Sequence, residues 1–545
     1  MNSIRHIFVL IAALSLPLFS TAQGNLPSEN VTVLKNFEAK LAEAERVEIQ
    51  PELPATDTVR LTQVYTLPFK TLSVDYPPPR IRPIAMPRDE VQEGYNGYLK
   101  LGVGIPTTFY ADASYHLFND ELYDLGLRFL HHSTNNKKVD NQRFMFNQVG
   151  VDGNYYFDQG FAVNGRLQYT SDIVHFYGYN FDPDLEGRPI ATEDIRQNFS
   201  TLDLGVGIFN SARTVADFNY SADADLYFMS DSYGATERGF NLRAKGTKWV
   251  NELHSIDIGL RTDFTTYEDT AKQNLNNFYL TPSFTFHGEF LKAKLGGIVA
   301  SHEDEFFLYP DAQVTANIIG SSLAAFIGAE GNLQKNTFRS LSDYNPFIVS
   351  RVELRNTDYL HFYGGVQGNL KVLEYSGQVG YQQADDLAMY LVEDPPENDV
   401  RKRFVVLYDS VSIFNIRGSL TARPLKGLEI IGTVNQNFYD PANQEKAWHL
   451  PSLTINGSIL YKTLEDQLLL KTEIFVENGV PYLNSDGIAD NLNGLFDLSL
   501  GAEYFFSDNF GAFVQINNLL DNKRRRWDFY PTYGMNVLVG ASARF

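Results

Sequence analysis

The residues able to do chemistry are few and poorly grouped. His131 and His132 are adjacent in a segment that alternates apolar and polar residues. Neighbours on an extended strand point to opposite faces, so the pair is a poor joint metal site. The remaining histidines are scattered without ligand spacing. Asn484 to Gly494 places several oxygen donors near glycines but lacks the spacing of a helix-loop-helix calcium site. It reads as a solvated loop. The chain has no cysteine, which excludes disulfides, thiolate metal centres and a lipidated N-terminal cysteine. No Ser/His/Asp set can be picked out. Neither an enzyme nor a resident cofactor or metal is expected. Lys523 to Arg526 is a basic run whose partners would be lipopolysaccharide phosphates or an anionic solute; the plainer reading is a solvated charge run.

The more informative charges lie within alternating segments. Asp217, Asp223 and Asp225 alternate with Ala216, Phe218, Ala222, Ala224 and Leu226. Asp257, Arg261 and Asp263 alternate with Ile256, Ile258, Leu260 and Phe264. Lys471, Glu473 and Glu477 alternate with Leu470, Ile474 and Val476. A period of two with charge on one face and large apolar groups on the other suits a wall between lipid and water. Together with Arg166 and Arg544, these groups should face a lumen. Mixed charges there line a wet path or pair with an inserted segment. Arg80, Arg82 and Arg88 are candidates for such an insert.

The last stretch repeats the pattern most clearly. Val537, Val539, Ala541, Ala543 and Phe545 share one face; Asn536, Gly540, Ser542 and Arg544 share the other, with Leu538 the misfit. Upstream, Ala512, Val514 and Ile516 alternate with Phe513, Gln515 and Asn517. Composition agrees. The chain has 40 Phe and 31 Tyr but only 3 Trp, yet its mean hydropathy is slightly negative, at −0.24. That suits aromatic girdles around a wet interior. The net charge of −21 argues against a nucleic-acid partner.

Three regions follow. Residues 1–22 read as a signal peptide: Arg5 and His6, an apolar run Ile7 to Phe19, then small residues at the cleavage spacing. Residues 23–94 are proline-rich, and Tyr76 to Arg88 should be extended, as a strap. Residues 95–545 alternate ten short turns with longer polar connections. The turns fall at Asn119-Asp120, Asp158-Gln159, Ser211-Ala212, Val250-Asn251, Gly288-Glu289, Gly320-Ser321, Leu370-Lys371, Leu425-Lys426, Leu464-Glu465 and Ser507-Asp508. Short turns at one end and long loops at the other mark an outer-membrane β-barrel. Ten hairpins plus an opening strand near Tyr95 to Val103 and a closing strand at Met535 to Phe545 give about 22 strands, with a range of 20–24 set by the segment Ala384 to Arg423.

Phe513-Val514-Gln515-Ile516-Asn517-Asn518-Leu519-Leu520-Asp521-Asn522, then Tyr530-Pro531-Thr532 and a strand ending in Phe545, resembles the closing segment of TonB-dependent receptor barrels. Near the start, Glu29-Asn30-Val31-Thr32-Val33 resembles the box through which that family adds a strand to TonB, and an ordinary extended tail is the alternative. The resemblance implies an outer-membrane transporter that takes up a solute, with TonB or other envelope proteins and outer-membrane lipid as partners. Residues 23–94 show no counterpart of that family's N-terminal plug domain. The competing expectation is a non-transporting barrel that serves as scaffold or assembly partner in an outer-membrane complex.

Overall fold

The computed structural model describes residues 95–545 apart from 120–121, 183–184, 186–189, 213, 215, 304 and 394–398. The expected signal peptide, the proline-rich segment with Arg80, Arg82 and Arg88, and Glu29 to Val33 lie outside the described residues.

Alternation builds the wall. In the first strand, Gly97–Ile105, Leu101, Val103 and Ile105 are exposed on the outer face while Lys100 turns inward to Glu503. The same two-sided rule runs through 22 strands that form one antiparallel sheet. All ten expected turns fall between consecutive antiparallel strands at the end that carries both barrel termini. Several need a left-handed backbone, supplied by Asn251, Glu252, Lys371, Leu464, Glu465 and Asp466 as well as by Gly320.

Closure is made by the last strand, Asn536–Arg544, which pairs with Gly97–Ile105 from Tyr98↔Arg544 to Ile105↔Val537. Val537, Val539, Ala541 and Ala543 lie on the outer face of this seam, and Phe545 follows it. Leu538 is inward and buried, so the misfit in the pattern packs inside the wall beside Phe513. The approach is close: a Cβ on Gly540 would come within 1.9 Å of the Leu101 carbonyl oxygen.

The ambiguous segment resolves into two long strands, Leu373–Val392 and Phe404–Leu425, of 20 and 22 residues. A register shift between Ala384 and Leu387 explains why its alternation was hard to follow. One expectation is corrected. Asp217 is not an inward strand residue: the strand is Phe218–Ser230, and Asp217 sits in the preceding turn with φ 50°. The alternation Ala216-Asp217-Phe218 continues into a turn that needs a left-handed residue, a conformation Asp tolerates.

Candidate functional site

At the end with long loops, the loops fold over the mouth. The loop residues Tyr177, Phe347, Trp527 and Tyr530 are buried with Phe338, Leu341, Tyr390 and Phe404 in one core. Phe347 and Tyr530 stack at 3.7 Å and 11°. Tyr530 donates to the Lys402 carbonyl at 2.5 Å, and Tyr177 donates to the Pro531 carbonyl at 2.8 Å. These groups come from connections spaced around the rim, so their meeting spans the mouth. Sequence rhythm shows only that such loops are long; nothing local states that they interlock.

The cap contains the seven-residue helix Phe338–Tyr344, with Phe338, Leu341 and Ser342 buried. Thr337 caps it reciprocally: its hydroxyl accepts from the Ser340 N–H at 3.2 Å, and Ser340 Oγ accepts from the Thr337 N–H at 2.9 Å. Glu237, fully buried on strand Thr236–Val250, holds the start of this helix. Its carboxylate accepts from the N–H of Phe338 at 2.6 Å and of Arg339 at 3.3 Å, and from the Tyr227 hydroxyl at 2.8 Å. The Arg339 guanidinium binds Asp203 through two bonds, at 2.7 and 3.2 Å. Gln273 donates to the Val352 carbonyl at 2.8 Å and accepts from the Leu354 N–H at 3.0 Å. Ser350 Oγ donates to Asp231, and Tyr267 to the Ser350 carbonyl. None of these partners was singled out from sequence. The only local signal is the Thr337…Ser340 cap inside a long polar stretch.

A second part of the cap centres on His449, in the connection after Pro441. Its Nδ1 donates to the Tyr390 carbonyl at 2.7 Å, and its ring lies 5.5 Å from Trp527. Burial lowers its pKa to about 4. Asp399 shows the opposite balance: burial would raise it, but hydrogen bonds from Arg401 and the charges of Arg403 and Arg401 hold it below the usual carboxylate range.

Below the cap lie the charges expected from alternation. Asp225 bridges Arg166 at 3.0 Å and Arg243 at 2.7 Å. Asp223 and Asp225 line a cleft of about 250 Å³ with Asp152, Asn154, Asn164, Arg166 and Arg243. Asp257 binds Lys245 at 3.1 Å and accepts from Thr247 at 2.6 Å. Asp263 lies 3.6 Å from Arg261 and 3.7 Å from Lys335. Lys471 pairs with Glu473 at 2.7 Å. Several of these side chains stay half exposed, so the pairs add little stability; their effect is a wet, mixed-charge lining.

Some contacts cross the interior. Arg261 donates to Asn332 at 3.3 Å, and Asn277 and Asn356 exchange amide bonds at 2.7 and 2.8 Å. Asn277 and Asn356 stand on Lys272–His287 and Arg355–Asn369, with three strands between them, so the wall curls inward there around buried Tyr279, Tyr309 and Leu333. Elsewhere, His131 bonds Asn147 at 2.7 Å and His132 packs edge-on to Tyr110 and Phe144. The oxygen-rich stretch Asn484 to Gly494 opens with the turn of the hairpin Val480–Leu483/Ala489–Leu492, in which the Asn484 side chain caps the N–H groups of Asp486 and Ile488. Arg525 pairs with Asp528 at 2.9 Å, and Arg526 lies 3.9 Å from Glu477, so part of the basic run is tied within the cap.

A closed barrel of 22 antiparallel strands, with short turns at one end and folded loops at the other, has the architecture of the TonB-dependent outer-membrane receptors. The solved structures it resembles include the FrpB iron transporter of Neisseria meningitidis (F5-1 variant), with TM-score 0.64, 8% identity, and 83% of this chain and 82% of that chain covered. The pyoverdine receptor FpvA of Pseudomonas aeruginosa PAO1 gives 0.60 at 9% identity over 83% and 79%. The siderophore receptor PiuA of Acinetobacter baumannii gives 0.60 at 7% identity over 82% of both chains. At these identities the likeness is one of fold. No protein-family model matches the sequence, and no curated protein is recognisably similar to it in sequence. These compared structures are of receptors and a transporter.

Proposed function

We propose that this chain is an outer-membrane transport protein that admits a solute inward through its barrel. One observation carries the reading: a barrel of 22 strands keeps a charged lumen beneath a cap of its own loops. A structural wall has no need of an ion-lined interior, and a permanent pore has no need of a cap. The likeness to receptors for siderophores and iron supports uptake as the general role and leaves the solute open. On this reading residues 1–22 direct export, residues 23–94 lie on the periplasmic side or in the lumen, and Glu29 to Val33 engage TonB. The inward charges Asp223, Asp225, Asp257, Arg261, Asp263, Lys471 and Glu473 line the route.

The test is solute depletion. Cells carrying the intact chain, the chain lacking Glu29 to Val33, or no chain are grown in one medium, and its small solutes are profiled by mass spectrometry. Uptake predicts a solute class depleted by the intact chain alone. Equal depletion by all three strains refutes the reading and favours the scaffold role.

A further inference from the structure

We propose that residues 337–354 are the gate of this barrel, and that Glu237 and Asp203 are the wall groups that hold it shut. The proposal rests on the conduit reading above but concerns a different property, the state of the mouth.

Three observations converge. First, the segment is built for docking. Phe338, Leu341, Ile348 and Val352 are buried against wall and loop residues rather than exposed to the outside. Second, the side-chain partners that hold the start of the helix and the stretch Ser350 to Leu354 concentrate on one arc of wall, the strands between Arg196 and His287, while on the far side the backbone of Phe347 and Val349 bonds Phe404 and Tyr344 donates to the His449 carbonyl. Asp203, Tyr267 and Gln273 stand on strands of that arc, Glu237 near the start of another, and Asp231 in the connection between two of them. The outer connections within this arc are short, at 231–235 and 269–271, as is 303–304 just beyond it; the long connection 176–195 stands only at its other edge. The segment 337–354 reaches across to cover the stretch of rim between them. Third, the latch is polar and concentrated. The buried Glu237 carboxylate has its three donors only while the helix is seated, and two of them are backbone N–H groups of the gate. Arg339 meets Asp203 only in the same position. A half-docked gate would leave buried polar groups without partners, so the segment has two favoured states, seated and released. Phe347 and Tyr344 then couple it to Tyr530 and Trp527 in the neighbouring loop.

The native chain has no cysteine, so Asp225→Cys places a single thiol in the lumen below the cap. A membrane-impermeant maleimide added to intact cells reports outside access. With the gate intact, labelling is slow. Loss of a charged, paired hydrogen bond shifts the seated-to-released ratio by about ten-fold or more, so Arg339→Ala and Glu237→Ala should label about ten-fold faster. The exchanged pair Asp203→Arg with Arg339→Asp should return the slow rate. Deletion of residues 338–350 should label fastest. Folding is checked by the heat-dependent mobility of each barrel on denaturing gels. A folded deletion variant that labels at the parent rate overturns the proposal. If the deletion does not fold, Arg339→Ala labelling at the parent rate overturns it equally. Equal solute depletion by cells carrying the intact chain, the chain lacking Glu29 to Val33, or no chain would refute the uptake reading and leave the gate result standing.

Discussion

Acid should loosen the cap, and His449 should be the cause. The perturbation is a fall in pH from 7.5 to 4.5. In the folded protein the imidazole is buried, its Nδ1–H is spent on the Tyr390 carbonyl, and its Nε2 has no partner among the described residues. Protonation would therefore bury a new N–H and a charge with no acceptor. Burial lowers the pKa from the ordinary 6.5 to about 4. The sign follows from linkage: between these values the released state binds the proton and the seated state does not. Cap stability is thus fully present above about pH 6.5 and is lost as pH falls toward 4. A gap of this size corresponds to about 3 kcal/mol at its limit. Trp448 and Trp527 are both buried in the cap, while Trp249 lies near the other end of the barrel. Tryptophan emission in a Trp249→Phe background therefore reports the cap. The wild type should show a red shift and quenching centred between pH 6.5 and 4. His449→Asn keeps an amide donor for Tyr390, suits the left-handed φ of 56° and cannot titrate, so its emission should stay flat. A flat wild type, or the same transition in His449→Asn, would refute the argument.

Other consequences concern the wall. Gly540→Val forces a side chain against the Leu101 carbonyl at the closing seam, and should abolish the folded, fast-migrating band on unheated denaturing gels. Gly432→Ala, whose nearest contacts are ordinary at 3.5 Å and beyond, should leave that band in place. Asp225→Asn removes the negative charge shared by Arg166 and Arg243 and leaves one amide oxygen as acceptor. Both arginines are more than half exposed, so stability should change by less than about 1 kcal/mol. The lumen becomes more positive, and the reversal potential of the barrel lacking residues 338–350 should move toward anion selectivity in a salt gradient.

Much of the wall was legible because each strand residue meets one of two environments. Leu101, Val103 and Ile105 stand on the exposed outer face and Lys100 turns inward to Glu503, and a period of two records that choice directly. Turn positions were legible for a similar local reason: Asn, Asp, Ser and Gly mark where the chain reverses. Asp217 shows the limit, since apolar-polar alternation continued one residue past the strand end and only backbone geometry separates the two. The cap was not legible. Its helix has seven residues, too few for a helical period to emerge, and it is fixed by Glu237, about a hundred residues away in sequence. The inward curl around Tyr279 depends likewise on Asn277 meeting Asn356 across three intervening strands. Such partners are chosen by the closed barrel, and no local pattern announces them.

The uptake account is tested most directly by capture of envelope proteins on the purified full chain, with and without Glu29 to Val33. The account predicts that TonB is recovered with the intact chain and lost when those five residues are removed. Recovery of a fixed set of other envelope proteins, indifferent to that stretch and without TonB, would contradict it and leave a capped barrel serving as a structural member of a complex.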